Sequence, residues 1–187
     1  MSRVGKQPVA LPDKVQVKLE GNKITVEGPL GRLERSLSQG ITCRNEAENR
    51  RLVLTRASDT KQQRMLHGLE RSLVRNMVVG VTQGYRKEME IVGIGYSAKL
   101  DAGALLLELG FANTIKFEVP KGIKVEIMQA TNPGRLAISG SDKHDVGQFA
   151  ARVRGAKPPE PYQGKGIKYA NEVIRRKAGK AFVGTGT

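Results

Sequence analysis

The residues best suited to chemistry in this 187-residue chain gather near its end. The run Pro161-Tyr162-Gln163-Gly164-Lys165-Gly166-Ile167-Lys168-Tyr169 interleaves glycine, lysine and tyrosine. Glycines allow a backbone to approach phosphates closely, and Lys165 and Lys168 would neutralise them. Tyr162 and Tyr169 offer flat faces for a base or sugar, or for packing against the chain's own core. Arg175 and Arg176 carry planar forks that match phosphate oxygens. They open the basic tail Arg175-Arg176-Lys177-Ala178-Gly179-Lys180. This chemistry is recognition of a polyanion.

Bond-making chemistry is harder to find. It needs a nucleophile, an acid/base pair, a metal or a cofactor. The chain has two histidines, and both read as helix-surface or packing residues: His67 inside a first helix and His144 in the first turn of a second. Cys43 sits in a strand-like run with no Cys or His at metal-ligand spacing, so it reads as a small packing residue. A single cysteine forms no intrachain disulfide and suits an intracellular protein. Gly93-Ile94-Gly95-Tyr96-Ser97-Ala98 matches the dinucleotide fingerprint Gly-x-Gly-x-x-Gly/Ala, but that motif needs a helix immediately afterwards. Here Asp101-Ala102-Gly103 reads as a hairpin turn between strands, and the two glycines mark a bulge or close packing. There is no Walker-type phosphate loop. The expectation is no catalytic residue, no cofactor, no metal and no small-molecule substrate.

Charge agrees with a polyanionic partner. The net charge is +14 at pH 7. Residues 1–82 carry 15 Lys/Arg and 8 Asp/Glu, residues 83–150 carry 8 and 8, and residues 151–187 carry 9 and 2. A neutral middle beside a basic end is poorly explained by scattered solvated lysines. Nucleic acid is the first candidate partner and an anionic membrane surface the second. The longest apolar stretches, such as Met77–Val81, are too short to span a bilayer. The start Met1–Pro8 lacks the apolar region of a signal peptide, so the expected compartment is the cytoplasm and no membrane partner is expected.

Two α+β modules must position these residues. Val15, Val17 and Leu19 alternate with polar neighbours as a half-buried strand, Gly21-Asn22 turns, and Ile24 and Val26 continue a hairpin. Arg32–Leu37 and Leu52–Thr55 read as further strands. Ser58-Asp59-Thr60 supplies capping side chains for a helix whose Leu66, Leu69, Leu73 and Met77 share a face, closed by Gly80 and Gly84. The second half repeats the order. Strands are expected at Glu88–Ile94, Ser97–Leu100, Leu105–Leu109, Ile115–Val119, Ile123–Ile127 and Leu136–Ser139. Ser141-Asp142 then caps a helix that aligns Val146, Phe149, Ala150 and Val153.

The halves resemble each other: residues 11–17 parallel 119–125, residues 24–28 parallel 136–140, and both helices open with Ser-Asp. The expected fold class is α+β, with two similar modules, each an antiparallel β-sheet packed with one helix, plus an extended basic tail. The expected boundaries are 1–82, 83–154 and 155–187. In the last segment Lys157–Tyr162 is stiffened by three prolines, and Ile167-Lys168-Tyr169 suits a short strand.

These residues resemble a known family, the sixth protein of the large ribosomal subunit, bacterial type. The likeness covers nearly the whole chain: Ser2–Pro8, Val26–Gly31, His67–Leu69 with Asn76–Val81, Val92–Tyr96, and most specifically Pro158–Tyr169. The family signature there is usually Tyr-Lys-Gly-Lys-Gly, and this chain has Gln163 where lysine is usual.

The resemblance implies a duplicated α+β fold without catalytic activity that binds large-subunit ribosomal RNA. It implies a place near the stalk base and the sarcin–ricin region, beside neighbouring ribosomal proteins and docking translational GTPases. It also implies that the second module and tail are the principal RNA contacts. The candidate contacts are Lys143, Arg152, Arg154 and Lys157 around the second helix. Tyr162, Gly164, Lys165, Gly166, Lys168 and Tyr169 follow in the signature, and Arg175, Arg176, Lys177 and Lys180 in the tail.

Overall fold

The computed structural model describes residues 4–46, 49–177 and 179. It is α+β, and its contacts divide the chain into two units: residues 1–85 with 140–144, and residues 86–139 with 145–187.

In the first unit, β2 (Gln16–Glu20), β3 (Lys23–Gly28) and β4 (Gly31–Ser36) form an antiparallel meander. A second sheet runs β1 (Val9–Ala10), β6 (Arg51–Arg56), β5 (Ile41–Glu46), also antiparallel. The helix α1 (Lys61–Thr82) follows β6. Its N-cap is Thr60, whose hydroxyl accepts from the Gln63 N–H at 3.3 Å. The helix runs through Gly80, and the N–H groups of Gln83 and Gly84 close it on the carbonyl of Val79. The core is aliphatic, built from residues such as Ile24, Val26, Ile41, Leu52, Val74 and Val81.

The buried face of α1 differs from the expected leucine stripe. Leu69 is 50% exposed, and the buried positions are His67, Glu70, Arg71, Val74, Met77, Val78, Gly80 and Val81. The stripe is rotated because three of its residues are polar and fully partnered. Glu70, with 0% of its surface exposed, accepts from Arg35 Nε at 2.9 Å and from the Ser38 hydroxyl at 2.6 Å. Arg71 Nε donates to the Gln7 carbonyl at 3.1 Å. Arginine has only donors, so the 3.2 Å contact from Arg56 makes His67 Nδ1 an acceptor; Nε2 then donates to the Leu54 carbonyl at 2.9 Å. His67 is the packing residue the sequence suggested. Burial of such groups is tolerated because each has a partner.

In the second unit, β8 (Ser97–Asp101), β9 (Ala104–Glu108) and β10 (Ile115–Glu118) form another antiparallel meander. The β8–β9 turn has positive φ at Ala102 (44°) and Gly103 (80°), the pattern of a type I′ hairpin. A strand therefore follows Gly93–Ala98, where the dinucleotide fingerprint would require a helix. The other sheet runs β11 (Ile123–Gln129), β12 (Gly134–Gly140), β7 (Tyr85–Val92), β13 (Gly166–Tyr169). After β12 comes α2 (Lys143–Ala156), whose first turn is held by Asp142 Oδ1 accepting from the His144 N–H at 2.7 Å. Val146, Phe149, Ala150 and Val153 are buried, as their spacing predicts.

The duplication is present in the element order, but in a different register from the sequence pairing. By sheet position, β2-β3-β4 corresponds to β8-β9-β10, β5-β6 to β11-β12, β1 to β7, and α1 to α2. The matched stretches 24–28 and 136–140 lie in β3 and β12, which occupy different sheets of their units. They look alike because each is a central strand with three successive buried residues, Ile24-Thr25-Val26 and Leu136-Ala137-Ile138, ending at a glycine. Among the described residues, β13 has no counterpart in the first unit.

Candidate nucleic-acid interface

The signature segment is built onto the second unit through β13. This strand pairs antiparallel with β7, from Gly166 opposite Val92 to Tyr169 opposite Met89, and buries Ile167 completely. The preceding loop is closed by its own backbone. The Glu160 N–H donates to the Lys165 carbonyl at 2.9 Å, the Gly164 N–H to the Glu160 carbonyl at 3.1 Å, and the Ile167 N–H to the Lys157 carbonyl at 2.8 Å. The stretch after β13 folds back, with the Lys177 N–H donating to the Pro161 carbonyl at 2.8 Å. Residues 157–177 thus form a pinned loop, strand and return.

The two signature glycines are explained by this closure. Gly166 has φ 138°, and a Cβ there would lie 2.6 Å from the Pro158 carbonyl oxygen. Gly164 has φ 73°, and its missing side chain makes room for the Arg176 guanidinium, 3.2 Å from where a Cβ would sit. Both are buried. Their immediate work is to shape the loop that carries the cations.

The candidate cations fall into two groups. Some are spent inside the protein. Lys168 pairs with Glu90 at 3.0 Å. Arg154 forks onto Glu172, with Nε donating to Oε2 at 2.8 Å and Nη2 to Oε1. This fork, Arg154's hydrogen bond first, holds the Glu172 carboxyl below its ordinary range and raises the Arg154 guanidinium. Lys157 Nζ donates to the Leu109 carbonyl at 2.6 Å. The Tyr169 ring, half-buried, is flanked by Lys87 at 5.8 Å and Arg154 at 5.9 Å.

The others face outward. Arg152, Arg175, Arg176 and Lys177 are exposed, Lys165 is half-buried, and none forms an ion pair among the described residues. Tyr162 is 57% exposed. Gln163 is exposed, and its N–H donates to Glu160 Oε1 at 3.3 Å. Lys143, at the start of α2, is exposed and belongs by its contacts to the first unit, with Nζ 5.7 Å from the Tyr85 ring centroid. Lys180 lies outside the described residues.

The arrangement can present unpaired guanidinium and ammonium groups on a fixed frame. That suits phosphate binding, because desolvating a cation already paired to a carboxylate brings little new attraction. Sequence reasoning missed the internal pairing, since Glu90 and Glu172 give no sign in the chain of which cations they hold. Phe111, in the loop after β9, is 47% exposed with the Lys157 ammonium 4.4 Å from its ring centroid. Among the described residues no helix is long and apolar enough to cross a membrane.

Comparison with known proteins gives one consistent result. The family model described as Ribosomal protein L6 matches residues 11–84 and 92–170, one match in each half. The large ribosomal subunit protein uL6 of Chloroherpeton thalassium is 50% identical over 181 residues, covering 97% of this chain and 98% of that protein. The protein of the same name from Syntrophomonas wolfei is 49% identical over 181 residues. That from Trichormus variabilis is 46% identical over 184 residues. With both halves matched and such relatives aligned almost end to end, the chain belongs to the ribosomal protein L6 family.

Proposed function

We propose that the chain is a structural, non-catalytic constituent of the large ribosomal subunit that grips large-subunit ribosomal RNA through residues 157–177. The observation that carries this reading is the set of unpaired cations, Lys165, Arg175, Arg176 and Lys177, held on a loop closed by backbone hydrogen bonds. A net charge of +14 needs a polyanionic partner, and membership of a ribosomal protein family supplies its kind. Arg152, exposed on α2, is a further candidate contact, while Arg154, Lys157 and Lys168 act mainly by holding the segment in place.

The finer reading concerns location. The likeness at Pro158–Tyr169 supports a place near the stalk base, beside neighbouring ribosomal proteins and the site where translational GTPases dock. In this reading residues 1–82 and 83–154 are two modules and 155–187 is a Pro/Gly-rich basic segment that includes the grip.

The test replaces Lys165, Arg175, Arg176 and Lys177 together by glutamine in the full chain. Sedimentation with large subunits lacking the protein reads incorporation, and backbone cleavage footprinting reads the RNA region protected. The expected result is greatly weakened incorporation by a folded variant, and protection by the wild type confined to the stalk-base region. Full incorporation of the variant overturns the assignment of the grip; protection elsewhere overturns the location alone.

A further inference from the structure

Phe111 lies in the loop after β9 and is 47% exposed. Exposure of a single aromatic ring is ordinary in itself; what sets Phe111 apart is the cation that holds it. The loop is not loose. The Lys157 ammonium is 4.4 Å from the Phe111 ring centroid and 4.9 Å from that of Tyr96, and it donates at 2.6 Å to the carbonyl of Leu109. One cation thus pins two rings and the strand end leading into the loop. The same residue anchors the signature segment, because the Lys157 carbonyl accepts from the Ile167 N–H. Phe111 is therefore joined through a single residue to the loop that carries the unpaired cations.

We infer that Phe111 is a stacking platform for an unpaired RNA base, with Lys157 as its positioning residue. The inference rests on the RNA-binding reading above. An exposed ring held by the same lysine that anchors the segment carrying the cations supplies one of the two elements that hold single-stranded RNA, a π face on which a base can lie, and that segment supplies the other, an electrostatic track. Lys157, spent on the ring and the Leu109 carbonyl, serves the platform rather than a phosphate. Protein docking would need an apolar surface. The ammonium held at the Phe111 ring, and the basic segment that the same lysine anchors, favour a base instead.

The chain contains no tryptophan, so Phe111→Trp in the full chain installs a single reporter. Purified large-subunit ribosomal RNA is the titrant. Filter retention measures binding, and tryptophan emission measures stacking. The expected result is quenching of the introduced indole in step with retention, about tenfold weaker retention for Phe111→Leu, and about threefold or less for Phe111→Tyr. Retention without quenching, and with Phe111→Leu binding like wild type, overturns the platform and leaves the RNA-binding reading standing. A blue shift without quenching, seen only in assembled subunits, also overturns it, because the ring is then covered by protein. No retention of RNA by the wild-type chain overturns both readings.

Discussion

At Gly166 two demands coincide that no side chain meets: a φ of 138° and a Cβ site 2.6 Å from the Pro158 carbonyl oxygen. Gly166→Ala is expected to lose about 1–3 kcal/mol of stability in denaturant unfolding. Gly155 is the useful contrast. It lies within α2, and a Cβ there would meet nothing within 4 Å. Gly155→Ala is expected to gain about 0.5–1 kcal/mol in the same measurement. Cys43 is a third case at this scale. Burial pushes its thiol from the ordinary 9.0 up to about 11. Its thiolate is then about a hundred times scarcer than that of an ordinary cysteine at neutral pH, so a thiol reagent at pH 7 should react far more slowly with folded than with unfolded protein. From the sequence, glycine in the signature suggested phosphate approach; only the positions of Pro158 and Arg176 show what the missing side chains make room for.

The element where sequence and structure differ most is α1. The spacing of Leu66, Leu69, Leu73 and Met77 reads as a buried stripe; Met77 is buried and Leu66 packs on the core, but Leu69 is half exposed and the helix also buries His67, Glu70, Arg71 and Val74. Hydrophobic periodicity cannot reveal a stripe whose first half is polar, because the carbonyls and Arg35 that satisfy it come from distant strands. The Arg35–Glu70 pair is the place to test this. Arg35→Ala leaves a fully buried carboxylate short of its cation and is expected to cost about 3 kcal/mol. For Glu70, burial pushes its pKa up, but the hydrogen bonds from Arg35 and Ser38 and the Arg35 charge prevail, so its pKa falls below the ordinary carboxylate value. A lowered carboxylate contributes stability above its unfolded pKa and loses it as pH falls through the folded one. Unfolding free energy should therefore drop below about pH 4.5, and Glu70→Gln should flatten that part of the profile. By contrast β13 was legible from Ile167-Lys168-Tyr169, although its place as the outer strand beside β7 was not.

For the whole molecule, the governing quantity is the unpaired positive charge. Binding to large-subunit RNA should weaken steeply with salt, with log K falling about 0.7–0.9 per phosphate contact for each decade of salt. The glutamine quadruple variant should show a slope smaller by about 3, measured by filter retention across a salt series. A slope that does not change would mean that those four cations touch no phosphate. Net charge, the uneven distribution of lysine and arginine, most of the strands, both helices and the Gly/Lys/Tyr segment were legible in the chain, because each is a local or summed property of residue types; the short β1 was not, and β5 showed only as a strand-like run around Cys43. The existence of a duplication was legible for the same reason. Its true register was not, since β3 and β12 share a burial pattern while sitting in different sheets, and strand pairing is a long-range choice. The division of the cations was equally a tertiary outcome. Glu90 and Glu172 lie 78 and 18 residues from Lys168 and Arg154 in opposite senses along the chain, and only the pairing of β13 with β7 and the return after it bring them together. Folding thus decides which of the described positive charges are spent on carboxylates within the protein and which stay unpaired.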